Sequence, residues 1–198
     1  MKQNKVFLVW PEQLNDRKNL TKFYCDYISC FAPGTNLNII LKDISIEEKI
    51  LKQIASRNQS INITFHHIPE AMDIWIRDWA PLPVQTDKGM ILLKAEYRPA
   101  YIKEKDSLYS EGDDKAGRKL AGILEMPIVD FPFIWDLGNF TSNGDGIGIV
   151  TERILKDNPQ YNDEEIKELF LKHIGITQLL IIPEEPGDAT GHVGRNYC

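Results

Sequence analysis

Asp73-Ile-Trp-Ile-Arg-Asp-Trp-Ala-Pro81 is the stretch on which the reading of this chain turns. Its alternation predicts a strand over residues 73–80, with Trp75, Arg77 and Trp79 on one side and Ile74, Ile76 and Asp78 on the other. An acid beside two tryptophans ahead of a proline break is suited to a planar cation. The carboxylate accepts two parallel N–H bonds from a guanidinium, and an indole face stacks on it. The same residues also allow Asp78 simply to pair with Arg77 at a strand end.

Working upstream, Val6-Phe-Leu-Val-Trp10 reads as a short buried strand halted by Pro11. Residues 19–31 carry Leu20, Phe23, Tyr24, Tyr27 and Ile28 at helical spacing, and Pro33-Gly34 ends that helix. Residues 37–41 and 61–66 read as strands. Between them, Ser45-Ile-Glu-Glu48 resembles a capping box, with Ser45 as N-cap and Glu48 at N3, opening a helix through residue 56.

Downstream, residues 90–95, 128–133, 147–150 and 178–182 read as strands, and 114–124 and 162–173 as helices. Asp163, Glu164 and Glu165 suit a helix N-terminus, and Gly175 supplies a stop. Helices alternating with short strands give an α/β or α+β class. The layout of helix, strand, aromatic-plus-acid turn and strand occurs over residues 46–97 and again over 115–150, and a third unit begins at Asn162.

The second aromatic-plus-acid turn is Phe133-Ile-Trp-Asp-Leu-Gly-Asn-Phe140, followed by Thr141-Ser-Asn-Gly-Asp-Gly146. Asp136 sits beside Gly138 and Asn139, where backbone can approach a ligand closely; a plain Gly/Asn-rich hairpin is the other reading. Gly144, Gly146 and Gly148 do not have the dinucleotide-loop spacing, and Asp145 alone makes no calcium loop. In the third stretch, Asp188-Ala-Thr-Gly-His-Val193, a loop histidine is free to act as acid or base or to have no role. His66 and His67, adjacent in a strand, point to opposite faces, and no set of residues has metal-ligand spacing.

The 198 residues suit one domain, residues 1–198, or a piece of a larger one. Hydrophobic residues at 42% and charged residues at 26% are ordinary for a globular chain. A net charge of −6 argues against nucleic acid and mildly suits a cationic small molecule. No apolar run approaches the roughly 18 residues of a membrane helix, and the basic start lacks a signal-peptide pattern, which predicts a cytoplasmic location. Three cysteines make no disulfide framework.

Together and in this order, the three stretches resemble the agmatine deiminase and bacterial peptidyl-arginine deiminase family. Trp75, Arg77, Asp78 and Pro81 match its W-x-R-D-x-x-P element. Asp136, Gly138 and Asn139 match its acid-Gly-Gly-Asn element, with Leu137 replacing a glycine. Thr190, Gly191, His192 and Val193 match its T-G-H-V-D element, where Gly194 stands in place of an aspartate. Trp10-Pro11, Gly146, Thr151, Glu152 and Asn158-Pro159 are similar too.

The resemblance implies a pentein, a propeller-like ring of ββαβ units, here incomplete at about three of five. It implies hydrolysis of a guanidinium to a ureido group and ammonia without metal or organic cofactor. Asp78 would grip the guanidinium, with Trp75 and Arg77 at the pocket and Gly138 and Asn139 against the substrate. Asp136 would support the histidine or the substrate, and His192 would be general acid and base. The substrate implied is agmatine, with peptidyl-arginine as the alternative.

The family's nucleophilic cysteine lies further along a longer chain. Cys198 follows His192 too closely, and Cys25 and Cys30 read as ordinary buried thiols of the first helix. The tail Gly194-Arg-Asn-Tyr-Cys198 matches nothing in the family and reads as a frame-shifted or premature end. These readings predict a truncated, inactive chain, or a guanidinium-binding remnant without chemistry. The sequence leaves the oligomeric state open.

Overall fold

The computed structural model describes residues 5–12, 17–56, 60–102 and 107–193. The tail at 194–198, including Cys198, lies outside the described residues. The chain divides into two compact units, Met1–Ile76 and Arg77–Cys198.

The first unit runs β1 (Lys5–Val9), α1 (Arg17–Ser29), β2 (Asn36–Leu41), a 3-10 turn (Ile44–Ile46), α2 (Glu47–Ala55) and β3 (Asn62–His67). Its sheet has the order β1-β2-β3 and is parallel throughout. The central strand β2 is the most buried of the three, as a strand flanked on both edges must be: Leu37, Ile39, Ile40 and Leu41 are fully buried. Ile28 and Cys25 from α1 and Ile50 and Ile54 from α2 pack with Leu37, Ile39 and Leu41 in the core of this unit.

The capping box expected at Ser45 is not formed. Asp43 accepts the Ser45 N–H at 2.9 Å and caps the 3-10 turn instead, and α2 starts after Ile46 with no side-chain cap. Asp beats Ser here because its carboxylate reaches the free N–H groups one turn earlier.

The expected strand over residues 73–80 is also overturned. The segment turns at Ile74, whose carbonyl accepts from Ile76 N at 2.9 Å, and continues as one helical turn, α3 (Ile76–Trp79). Burial of the Trp79 indole outweighs the alternation, so Trp75, Arg77 and Trp79 do not share a strand face.

The second unit holds two sheets. In one, β4 (Leu82–Thr86) pairs antiparallel with β5 (Gly89–Glu96), and α4 (Ser107–Ile123) returns the chain to β6 (Ile128–Ile134), parallel to β5. In the other, β7 (Thr141–Ser142) pairs antiparallel with β8 (Ile147–Thr151). There α5 (Arg153–Asp157) and α6 (Asp163–Ile174) lead to β9 (Gln178–Ile182), parallel to β8. Both sheets follow a ββαβ order, the second with the additional short helix α5 ahead of α6, whereas the first unit is βαβαβ. The repeat is real, but its boundaries fall at β4–β6 and β7–β9 rather than where the sequence layout put them.

Strands β4 and β7 and helix α5 escaped the sequence reading. Pro83 hides β4, yet an edge strand tolerates a residue without an N–H, and β4 pairs only with β5. The same holds for Pro132 in the edge strand β6. Helix α6 forms as expected: Asn162 and Glu165 make a reciprocal capping box, and Gly175 closes the helix in the left-handed region at φ 78°.

One aromatic core serves this unit. Phe170 of α6 is 0% exposed. Its ring lies 5.1 Å from Trp135, 5.7 Å from Phe140, 5.8 Å from Phe131 and 6.0 Å from Phe133. Phe131, Phe133 and Trp135 follow the two-residue period of β6, so the strand delivers the next residue, Asp136, at the margin of this core. Among the described residues no helix is long and apolar enough to cross a membrane.

Candidate active site

The end of β6 sets the first side chain. Asp136 is 1% exposed, a costly place for a carboxylate unless donors surround it. Its Oδ1 accepts the Gly138 N–H at 2.8 Å and so caps the 3-10 turn Leu137–Asn139. Its Oδ2 accepts the Tyr101 hydroxyl and, at 2.9 Å, the Nε2–H of His192.

His192 arrives on the loop after β9, which hydrogen bonds shape from both sides. Asp188 accepts from Thr190 N at 3.1 Å and His192 N at 3.2 Å. Thr151, at the end of β8, takes part twice: its N–H donates to Asn139 Oδ1 at 2.8 Å. Its single hydroxyl proton is best placed on the Gly191 carbonyl at 2.6 Å, shorter than its 3.0 Å approach to Asn139. Thr151 thereby ties the Asp136 turn to the His192 loop.

Asp78, on α3, completes the cluster: ligand-capable atoms of Asp78, Asp136 and His192 all lie within 4.8 Å of one another. Gly138 forms the floor. A Cβ there would stand 2.6 Å from both Asp78 Oδ1 and His192 Nε2, so no larger residue fits without moving the two groups apart.

Burial is the largest influence on His192 and disfavours its charge. The hydrogen bond to Asp136 and the charges of Asp136, Asp78 and Asp188 together outweigh it and hold the imidazole pKa above the ordinary 6.5. The result is an imidazole of 20% side-chain exposure whose protonated form is favoured, with a second carboxylate, Asp78, close by. The cluster is not assigned to a metal ion. Both Asp136 oxygens already accept hydrogen bonds, and His192 Nε2 is given to Asp136. A carboxylate, Asp78, beside an imidazole that already serves Asp136 suits a hydrogen-bonding cation or a reacting amine rather than a naked ion.

The sequence of the family described as Porphyromonas-type peptidyl-arginine deiminase matches residues 1–196 of this chain. The chain belongs to that family. A Lactococcus lactis protein named "Putative agmatine deiminase" is 24% identical over 214 residues, covering 99% of this chain and 55% of its own length. A crystal structure of another protein of that name aligns with TM-score 0.77 at 23% identity, over 97% of this chain and 56% of the other. A C. jejuni agmatine deiminase with substrate bound aligns with TM-score 0.77 at 18% identity, over 96% of this chain and 57% of the other. These likenesses establish the α/β pentein fold, with its ββαβ units, as the fold of the chain. The chain spans about half the length of the curated relatives it matches.

In this deiminase-family chain the residues singled out from sequence fall into three groups. Asp78, Asp136, His192 and Gly138 come together. Arg77 and Asn139 hold the surrounding backbone: Arg77 Nη2 donates to the Phe140 carbonyl at 2.7 Å, and buried Asn139 receives Thr151 N–H. Trp75 belongs to the first unit, where it is 63% exposed.

Sequence reasoning missed Tyr97, Tyr101 and Arg153. Their signal was faint: two tyrosines four apart in Tyr97-Arg-Pro-Ala-Tyr101, directly after a strand, and an arginine just after Thr151-Glu152. Cys25 is buried as expected, whereas Cys30 is exposed because it lies just past the end of α1; both are in the first unit and neither forms a disulfide. The described residues of the second unit contain no cysteine.

Proposed function

We propose that Asp78, Asp136 and His192 bind a guanidinium group and move protons in its hydrolytic deimination. The substrate is agmatine, which the complete enzyme converts with water to N-carbamoylputrescine and ammonia. The observation that carries this reading is the gathering of two carboxylates, Asp78 and Asp136, around the His192 imidazole, with ligand-capable atoms of all three within 4.8 Å of one another and His192 hydrogen-bonded to Asp136 at 2.9 Å.

The chemistry asks for those parts. A guanidinium carbon is a poor electrophile, so attack needs a thiolate. Asp78 accepts the guanidinium N–H bonds and fixes the planar cation in line for attack. His192 gives its proton to the departing amine, which leaves as ammonia, and then takes one from the water that attacks the thiouronium carbon, after which the C–S bond breaks, the thiolate leaves and the ureido product is released. Asp136 keeps the imidazole in the tautomer and orientation for both steps.

A second reading rests on the thiol: with no cysteine among the described residues of the second unit, the cluster binds guanidinium groups without turning them over. A peptidyl-arginine side chain is the alternative guanidinium, as the family's description suggests. Calorimetry with agmatine, with an arginine peptide and with putrescine, which lacks the guanidinium, tests the reading. Agmatine should bind at least tenfold more tightly than putrescine, a difference of about 1.4 kcal/mol. Asp78→Asn should abolish the preference, and no ammonia should be released by the 198-residue chain. Equal binding of agmatine and putrescine, or an unaltered preference in the Asp78 variant, would sink the proposal.

A further inference from the structure

We propose that Tyr101 is a positioning residue of this site: its phenol holds Asp136 Oδ2 in the orientation that receives His192, and α5 fixes both loops that make this possible. The idea rests on the reading of the cluster as a proton-transferring site only for its purpose; the geometry stands without it.

Tyr101 and His192 converge on one oxygen. Tyr101 donates its hydroxyl proton to Asp136 Oδ2, and the His192 Nε2–H reaches the same atom at 2.9 Å. With Oδ1 held by Gly138 N, the carboxylate is pinned by three donors and has one fixed plane. A carboxylate held by His192 alone would rotate about its terminal bond, since that torsion is soft.

The phenol is itself oriented. Tyr97 and Tyr101 share a side-chain hydrogen bond. A hydroxyl has one proton, and that of Tyr101 is given to Asp136, so Tyr97 is the donor to Tyr101. Donors thus converge on Asp136 from the tyrosine pair on one side and from His192 on the other. Burial and the neighbouring Asp136 charge raise both phenol pKa values, which keeps these protons in place at any physiological pH.

One short helix braces both ends of the chain. From α5, Asp157 Oδ1 accepts the Ala100 N–H at 2.9 Å, and the Arg153 guanidinium carbon lies 5.9 Å from the centre of the Tyr101 ring. The same Arg153 donates through Nη2 to Glu184 at 2.6 Å and to the Ala189 carbonyl at 3.2 Å, in the loop that carries His192. The charged and titratable groups acting on His192 are thus Asp136 and Asp78 from other elements and Asp188 from its own loop. Tyr101 and Arg153 stand behind Asp136.

Because phenol and imidazolium share one acceptor, removal of the phenol proton leaves more of the carboxylate for the imidazolium. NMR titration of the His192 ring in the 198-residue protein, assigned by comparison with His192→Ala, reads this without any substrate. In Tyr101→Phe, which keeps the ring under Arg153, the His192 midpoint should rise by several tenths of a pH unit. Tyr97→Phe should shift it in the same direction but less. In an Asp136→Asn background the Tyr101→Phe change should have no effect, because the shared acceptor charge is gone. An unmoved midpoint in folded Tyr101→Phe, or an equal shift in the Asp136→Asn background, overturns the proposal. Failure of agmatine binding would overturn the deiminase reading and leave this result intact.

Discussion

Phe170→Ala tests whether the aromatic cage is what carries the site. Phe170 is fully buried, and its ring sits within 6.0 Å of four others: Trp135, Phe140, Phe131 and Phe133. Truncating a buried phenylalanine costs about 3–5 kcal/mol through lost burial and the residual cavity. Each aromatic pair adds about 0.5–1.5 kcal/mol beyond area, so four lost pairs place this variant at the upper end, near 5 kcal/mol.

A domain stable by about 5–15 kcal/mol loses a large share of its margin at that cost. Urea unfolding followed by far-UV circular dichroism should show the midpoint falling by roughly 2.5 M at an unchanged slope, for a slope of about 2 kcal/mol per molar urea. The site should suffer with the core, since Trp135 precedes Asp136 and Phe140 follows Asn139. The His192 ring signals should therefore broaden or shift below the unfolding midpoint. Phe170→Leu, which keeps most of the volume but loses the same four ring pairs, should be less destabilised than Phe170→Ala. A Phe170→Ala variant destabilised by less than about 1 kcal/mol would refute the argument that these rings form the supporting core.

Other expectations concern the site and its frame. Gly138→Ala should reduce agmatine affinity by more than tenfold, about 1.4 kcal/mol, because its methyl group forces Asp78 and His192 apart; wild-type affinity in calorimetry would contradict the floor assigned to Gly138. Asp136→Asn should lower the His192 titration midpoint in NMR, since burial then acts against a smaller opposing charge. The sign for stability follows. The folded His192 pKa is raised, so its contribution is full below the unfolded value of 6.5 and is lost as pH rises through the folded value. Urea midpoints measured across that window should fall with pH in the wild type and flatten in Asp136→Asn. Asn158→Leu should cost about 2–4 kcal/mol, because fully buried Asn158 bonds the Ile134 N–H and the Ile134 and Ile154 carbonyls, each at 2.8 Å, and leucine strands all three. A loss under 1 kcal/mol in thermal or urea melts would show that these backbone groups find other partners.

Much of the architecture was legible because it rests on local pattern. Residues 178–182 are an apolar run closed by Pro183, and they form β9 with the same bounds. The acids after Asn162 and the glycine at 175 mark α6 because free N–H groups and a left-handed cap impose those residue types wherever a helix starts and stops. Ser45 misled because a nearer competitor, Asp43, was two residues away. Residues 73–80 misled because alternation says nothing about where a large indole will be buried, and Trp79 settled that by turning the chain into α3. β4 was hidden by Pro83, whose missing N–H matters only if the strand is internal, and edge position is a property of the whole sheet.

By itself the sequence determined the residue types of the cluster and the order of three motifs carrying Asp78, Asp136 and His192, since a planar cation and a proton transfer each demand particular side chains. Only the tertiary structure decided which of them meet. It joined positions 56 residues apart in a hydrogen bond between His192 and Asp136, set Gly138 beneath them and gave Arg77 to the Phe140 carbonyl. It also recruited Tyr101 and Arg153, which no motif marks. The physical reason is that motif spacing along a chain fixes chemistry, whereas sharing one carboxylate oxygen depends on how β6, α5 and the loop after β9 pack around the aromatic core.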